Sequence, residues 1–359
     1  MSFCQKSPKL RKGMIIGMGN SMLDLIGYVD TSMLEKYGLL ANNGYMAEKV
    51  HMGLFQELID EGKAELVVGG SVQNTFRVVQ WVLGEPEVCI IFGGIGCDKE
   101  GEELVGKARA DGVDTQYQYI EGVPTGICAV LLTKNGAERT LVANLSAAKC
   151  FTVDHLMKED NLSRMLNADI FYISGFFLAV SQDAVVHSAK MAAKYGKWFM
   201  MNLSATYIAE QYMDGWNEVF PYIDVLFGNE TEARSFAKES QFEEVNDVSQ
   251  IALKLSCLPK NNLSRTRIVV ITQGPDPVVV AEDGCVKQFP TIHLRPEQVV
   301  DTTGAGDAFV GGFLAQFILG LSLEDCVRCG VWCATEMVQQ QGCSLEGMRK
   351  YTEAQQSNV

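Results

Sequence analysis

The sequence predicts an α/β fold: a mostly parallel central sheet flanked by helices on both faces, plus a small β lid domain. Three observations carry this expectation. Short apolar runs such as Met14–Met18, Val88–Phe92, Ile170–Ser174 and Ile268–Thr272 alternate with segments of helical spacing, as in parallel sheets covered on both sides. Several runs open into glycine or asparagine, at Gly19-Asn20, Gly93-Gly94 and Gly228-Asn229. Two excursions, near residues 23–66 and 116–145, switch to a different pattern, which in the second is short alternating strands.

Met14–Met18 reads as a buried strand feeding a loop. Residues from Asp24 to Glu65 form a mixed stretch with a polar turn at Ala41-Asn42-Asn43-Gly44. Glu65–Val68 runs into Gly69-Gly70-Ser71, and Phe76, Val79, Gln80 and Leu83 recur at helical spacing within Gln73–Leu83. After Val88–Phe92 come the loop Gly93–Asp98 and a helix over Glu100–Asp111. Gly126–Thr133 and Thr140–Leu145, with a turn at Asn135-Gly136, read as an antiparallel hairpin. Then follow strand Ile170–Ser174, helix Asp183–Lys194, and strands Trp198–Asn202, Val225–Gly228 and Ile268–Thr272. Val278–Ala281 and Val286–Phe289 form a second hairpin, followed by helices over Gly304–Leu319 and Ser322–Gln341. The expected division is a large domain of residues 1–22, 67–115 and 146–359, with 23–66 and 116–145 as the lid. The tail Ala354–Val359 is polar and expected to fray.

The 359 residues are 47% hydrophobic and 21% charged, enough for one large domain and a smaller one. A net charge of −14 makes nucleic acid and anionic membranes poor partners. An anionic ligand must then be held by local devices, backbone N–H groups and a metal ion. The N-terminus lacks the apolar stretch of a secretory signal, and no run approaches the roughly 18 apolar residues of a membrane span. The eleven cysteines read as reduced cytosolic thiols. Cys326, Cys329 and Cys333 share the spacing of one helix face, which favours packing over a metal site.

The segment Asp301-Thr302-Thr303-Gly304-Ala305-Gly306-Asp307 holds the richest chemistry. Its glycines let successive N–H groups converge, and a helix beginning there adds its unpaired amides and dipole. Asp307 then lies in the first turn, where a carboxylate can take a proton from an attacking hydroxyl. The plainer alternative is a helix cap behind a glycine turn. Two glycines, an in-turn carboxylate and Gly311-Gly312 occurring together weigh against it. None of the Gly-Lys pairs at 62, 106 and 196 continues into the hydroxyl residue that a Walker A loop requires. The His-Arg-Asp and Asp-Phe-Gly motifs of protein kinases are missing too. Gly17-Met18-Gly19 hints at a dinucleotide fold, but Met22 stands where the third glycine belongs.

The signature at 301–307 resembles that of the ribokinase-like (PfkB) carbohydrate kinase family. The match continues in order through Gly19-Asn20 with Asp24, Gly69-Gly70-Ser71-x-x-Asn74, Gly93-x-x-Gly96-x-Asp98, Pro124-Thr125-Gly126, Asn229-Glu230-Thr231-Glu232 and Thr272-Gln273-Gly274. Gly175–Leu178, Asn202-Leu203-Ser204 and Arg139–Leu145 are similar to the adenosine-phosphorylating branch of that family.

The resemblance implies a ribokinase-like fold and ATP-dependent phosphorylation of the ribose 5′-hydroxyl of adenosine, with Mg²⁺. It gives Asp307 as the base and the amides of Gly304, Ala305 and Gly306 as the anion hole. Asp24 would hold the ribose hydroxyls, with Asn20, Gly70, Ser71, Asn74 and Asn202 beside it. Tyr45, Met46, Cys128, Leu141, Leu145 and Phe177 would line the adenine slot. Asn229, Thr272, Gly274, Thr303 and Arg139 would meet ATP, and Glu232 with Asn229 would position magnesium. A monomer in the cytoplasm, not barred from the nucleus, acting on small molecules is implied. The alternatives are another nucleoside or sugar kinase of this family, or an inactive metabolite-binding relative. Thr303, Gly44-Tyr45-Met46 and Val331-Trp332 depart from residues common in relatives, which bears on substrate and inhibitor preference.

Overall fold

Strands that are apolar on both sides belong inside a layered structure, and the chain puts them there. The computed structural model describes residues 9–41, 43–60, 62, 64–134, 138–348 and 351. Among these residues the large sheet has nine strands. Their spatial order is Cys285–Phe289, Asp276–Glu282, Ile268–Gln273, Val225–Asn229, Trp198–Asn202, Ile170–Ser174, Ile15–Met18, Cys89–Phe92 and Asp114–Thr115. Strands from Ile268–Gln273 onward in that order are parallel, and the first two form the antiparallel hairpin. The order reverses between Ile15–Met18 and Ile170–Ser174, which opens a crevice beyond their carboxyl ends.

Helices Ser71–Leu83, Lys99–Ala110, Ala305–Ile318 and Leu323–Met337 cover one face. Their shared core includes Phe76, Tyr172, Phe227 and Phe313. The opposite face packs Phe177, Trp216 and Phe236 beneath Leu178–Lys194, Met213–Val219 and Glu230–Glu239. Arg267 is fully buried there and donates to the carbonyls of Phe220, Ile223, Leu255, Leu258 and Pro259, so all five of its N–H bonds are used. Cys326, Cys329 and Cys333 are buried between helices. No helix among the described residues is long and apolar enough to cross a membrane.

A five-stranded sheet has the order Gly44–Met46, Glu138–Asn144, Ile127–Thr133, Met22–Tyr28 and Ala64–Gly69. Met22–Tyr28 runs parallel to Ile127–Thr133 and antiparallel to Ala64–Gly69. Side chains alternate across it. Leu25, Ala129, Leu131 and Val142 meet the helices Thr31–Lys36 and Met52–Asp60, which lie within the mixed stretch from Asp24 to Glu65. Met22, Ile26, Cys128, Val130 and Leu132 form the other face and pack with Ala148 and Val180 of the large unit. Asn42, the Asn135-Gly136 turn and the Ala354–Val359 tail lie outside the described residues.

Candidate active site

The anion loop is built around Asp301, which is 2% exposed. Its Oδ1 accepts from the N–H and hydroxyl of Thr303 at 2.8 and 2.7 Å, and its Oδ2 from Gly342 N–H at 2.9 Å. This braces the turn from within and ties it to the Gly342 segment. Gly304 takes φ +75°, and a Cβ there would meet Cys343 Sγ at 3.3 Å. The helix Ala305–Ile318 starts immediately after, and Gly306 is exposed with nothing near its missing Cβ. Ala305 N–H donates to the Thr302 carbonyl at 3.3 Å and closes the turn. A ligand can approach the amides of Gly304 and Gly306 closely. Thr303 is buried with its hydroxyl on Asp301, so it braces the loop instead of facing the cleft.

Asp307 lies in the first turn of that helix. Ser71 Oγ donates to its Oδ1 at 2.6 Å and Asn74 Nδ2 to its Oδ2 at 3.3 Å. Burial pushes its carboxyl up to about 6, against those hydrogen bonds and the charge of Arg139, which favour the ionised form. Asp24 comes from the small sheet, paired with Val67 and Cys128. Burial, and then the negative charge of Asp307, raise its carboxyl to about 7, while Arg139 opposes the rise. Gly69 and Gly70 make this approach possible. A Cβ at Gly69 would lie 2.2–2.4 Å from the Asp24 carboxyl, and one at Gly70, where φ is +97°, would meet the Asn20 carbonyl at 2.5 Å.

Asn20 is buried at the end of Ile15–Met18, and its Oδ1 has no hydrogen-bond partner. Asn202 ends its own strand and accepts from Ser204 N–H at 2.9 Å. Cys128, Leu141, Leu145 and Met46 share the small-sheet face that carries Asp24. Two sequence-predicted lining residues do not join them. Tyr45 alternates to the helix-covered face, where its hydroxyl accepts from Leu40 N–H. Phe177 is 0% exposed and packs edge-to-face on Phe151 at 5.2 Å, inside the large core. Its neighbour Phe176 keeps a partly open ring 6.2 Å from that of Tyr207, whose hydroxyl reaches Met46 Sδ at 3.9 Å. Sequence reading does not single out Phe176, because the 3₁₀ turn Gly175–Phe177 has no periodicity to tell its two rings apart, nor Tyr207, which sits in the short helix Thr206–Gln211.

Further along the same edge, Asn229 caps Glu230–Glu239 by accepting from Thr231 and Glu232 N–H at 2.9 and 2.8 Å. Glu232 accepts in return from Asn229 N–H and Nδ2. Burial pushes Glu232 up to about 7. A desolvated carboxylate with hard oxygens fits a magnesium site that completes its shell with water and phosphate. Asn229 fits less well, since both amide ends are already used. Thr272 donates to the Gly228 carbonyl, and Gly274 is exposed at φ +57°. Val331 lines a cavity with Phe289, Pro290 and Arg328, while Trp332 packs in the core beside it.

A family model described as pfkB family carbohydrate kinase matches residues 31–349. Adenosine kinase 1 of Arabidopsis thaliana is 46% identical over 332 residues, covering 92% of this chain and 96% of that protein. The adenosine kinase of Dictyostelium discoideum is 38% identical, with 92% and 96% covered. Among solved structures, Anopheles gambiae adenosine kinase in complex with P1,P4-di(adenosine-5) tetraphosphate superposes with a TM-score of 0.92. It is 46% identical and covers 95% of this chain and 100% of that one. Schistosoma mansoni adenosine kinase in complex with 2-fluoroadenosine gives 0.91 at 31% identity, with 95% and 99% covered.

Proposed function

The chain belongs to the pfkB family of carbohydrate kinases, and from that premise we propose that it moves the γ-phosphoryl group of ATP to the 5′-hydroxyl of adenosine, yielding AMP and ADP. The observation that carries this reading is one carboxylate, Asp307, oriented by Ser71 and Asn74 in the first turn of a glycine-led helix, within the electrostatic reach of Asp24.

Asp24 accepts from the 2′- and 3′-hydroxyls of the ribose, with Asn20 and Gly70 beside it. The purine lies between Phe176 and Tyr207 on one side and Met46, Cys128, Leu141 and Leu145 on the other. This sets the 5′-hydroxyl against Asp307. Being ionised at neutral pH, Asp307 takes the hydroxyl proton as the oxygen attacks the γ-phosphorus and the bond to ADP breaks in line. The amides of Gly304 and Gly306 and the helix dipole hold the charge on the phosphoryl oxygens, while the Ala305 amide, expected in the anion hole, is used to close the turn. Arg139 adds positive charge from the small sheet, which we assign with residues 23–66 and 116–145 as a lid that excludes water.

Glu232 would hold the magnesium that accompanies ATP, and the ion would supply charge neutralisation for the phosphates. Asn229 orients Glu232. Thr272 and Gly274 lie along the ATP side of the edge. We further assign a cytoplasmic monomer acting on small molecules, as the resemblance implies; the net charge of −14 disfavours nucleic acid and anionic membranes as partners. Purified protein supplied with ATP and, in turn, adenosine, inosine, guanosine and ribose should release ADP fastest with adenosine. Equal or better turnover of ribose would refute the assignment.

A further inference from the structure

Arg77 is 2% exposed, six residues beyond Ser71 on the helix Ser71–Leu83, and touches no part of the cleft directly. Its Nε donates to Asp111 Oδ2 at 2.5 Å, at the end of the neighbouring helix Lys99–Ala110. Its Nη1 donates both to Asn74 Oδ1 at 3.4 Å and to the Cys343 carbonyl at 3.1 Å. Asn74 and Cys343 each support the site, one at its carboxylate and the other at its anion loop. Asn74 donates to Asp307, and Cys343 lies directly under Gly304.

An asparagine side chain can be turned end for end at little local cost, presenting either its oxygen or its NH₂. Arg77 has donors only, and an ionised Asp307 has acceptors only. Between a fixed guanidinium and a carboxylate, just one orientation of Asn74 satisfies both neighbours. We propose that Arg77, itself anchored by Asp111, is a positioning residue for phosphoryl transfer: it locks the Asn74 amide so that NH₂ faces Asp307, and ties the Cys343 segment beneath the anion loop. This rests on the assignment of Asp307 as the base.

A lysine at this position keeps a positive charge for Asp111 but loses the planar fork that serves three acceptors at once. Without the fork, the Asn74 oxygen loses its anchor, so the amide swings on its side chain and its NH₂ no longer holds a fixed hydrogen bond to Asp307. The other groups facing Asp307 are Ser71 on the same helix as Asn74, Arg139 and Asp24 from the small sheet, Glu232 along the edge, and Tyr172 and Cys343 beneath. Of these only Cys343, whose carbonyl also accepts from Arg77, is touched by the substitution.

The test is the pH profile of kcat/KM for adenosine in the full chain, for wild type, R77K, and R77Q combined with D111N, each alone and in an N74A background. R77Q/D111N removes the buried guanidinium together with the carboxylate it pairs with, leaving no unpaired charge, and is the second variant should R77K fail to fold. R77K is expected to lower kcat roughly 10- to 100-fold, with KM for ATP changed less than about threefold. It should also move the acidic limb upward by about one pH unit, the worth of one hydrogen bond to a charged group. With N74A already present, R77K should move the limb no further. A lowered Tm with an unmoved limb in both R77K and R77Q/D111N would reduce Arg77 to a packing residue. An equal shift with and without Asn74 would also overturn the proposal. A wild-type protein inactive on adenosine would overturn the assignment of Asp307 itself, a result distinct from either.

Discussion

Replacing Gly69 with alanine perturbs the site at a single atom. The added Cβ would lie 2.2–2.4 Å from all three heavy atoms of the Asp24 carboxyl group. An ordinary carbon–oxygen contact is about 3.2–3.4 Å, so the carboxyl must retreat by about 1 Å. Hydrogen bonds from the two ribose hydroxyls then stretch beyond useful length. Each is charge-assisted and worth about 1.5–3 kcal/mol. Losing the pair costs about 3–6 kcal/mol, or roughly 10²- to 10⁴-fold in kcat/KM for adenosine. Gly69 does not have positive φ, so the backbone tolerates alanine and the fold should survive. Steady-state kinetics with adenosine varied, run beside thermal unfolding, makes the comparison. G69A should lose at least 100-fold in kcat/KM while Tm falls by only a few degrees. A variant within threefold of wild type would show that Asp24 does not hold the acceptor where the geometry requires.

Three further outcomes follow from the same site. Phe176→Ala should raise KM for adenosine with little effect on Tm, whereas Phe177→Ala should cost about 3–5 kcal/mol of stability in denaturant unfolding; reversed effects would exchange their roles. The raised carboxyl of Asp307 means that the folded protein holds a proton more tightly than the unfolded chain. That group's contribution to stability is present at acid pH and lost as pH rises through about 6. Asp307→Asn should therefore raise the ligand-free Tm at pH 8 and change it little at pH 4; equal effects at both would contradict the burial argument. Chelation of magnesium should abolish ADP formation, and Glu232→Gln should raise KM for MgATP about tenfold while leaving KM for adenosine unchanged. Parallel changes in both KM values would place Glu232 elsewhere in the mechanism.

The glycine turn and the helix start that follows it were legible because their determinants are local. Glycines at 304 and 306 with Asp301 and Asp307 encode a turn, a helix start and a carboxylate within seven residues. The parallel sheet was legible for a related reason, since buried strands such as Ile170–Ser174 are uniformly apolar. Contacts set by distant segments were not. Nothing beside Phe176 and Phe177 tells which ring faces the cleft, because Phe151 decides it from another element. Tyr45 and Met46 could not both line one face, and strand alternation alone was enough to exclude one of them. The demand on Gly69 comes from Asp24 across the strand pairing. Arg77 reads in sequence as one more charge on a helix, and only the approach of Asp111 and Cys343 buries it. Short helices such as Thr206–Gln211 and Met213–Val219 offer too few turns for periodicity to mark them.

The most direct measurement is single-turnover and steady-state transfer from ATP to adenosine by Asp307→Asn. The amide keeps the shape of the side chain and still reaches Ser71, but it cannot accept the 5′-hydroxyl proton. The expected result is a fall in kcat of roughly 10³-fold or more, at the upper range of general-base contributions, with adenosine still bound at near wild-type affinity. Turnover within tenfold of wild type would contradict the assignment of residue 307 as the proton acceptor.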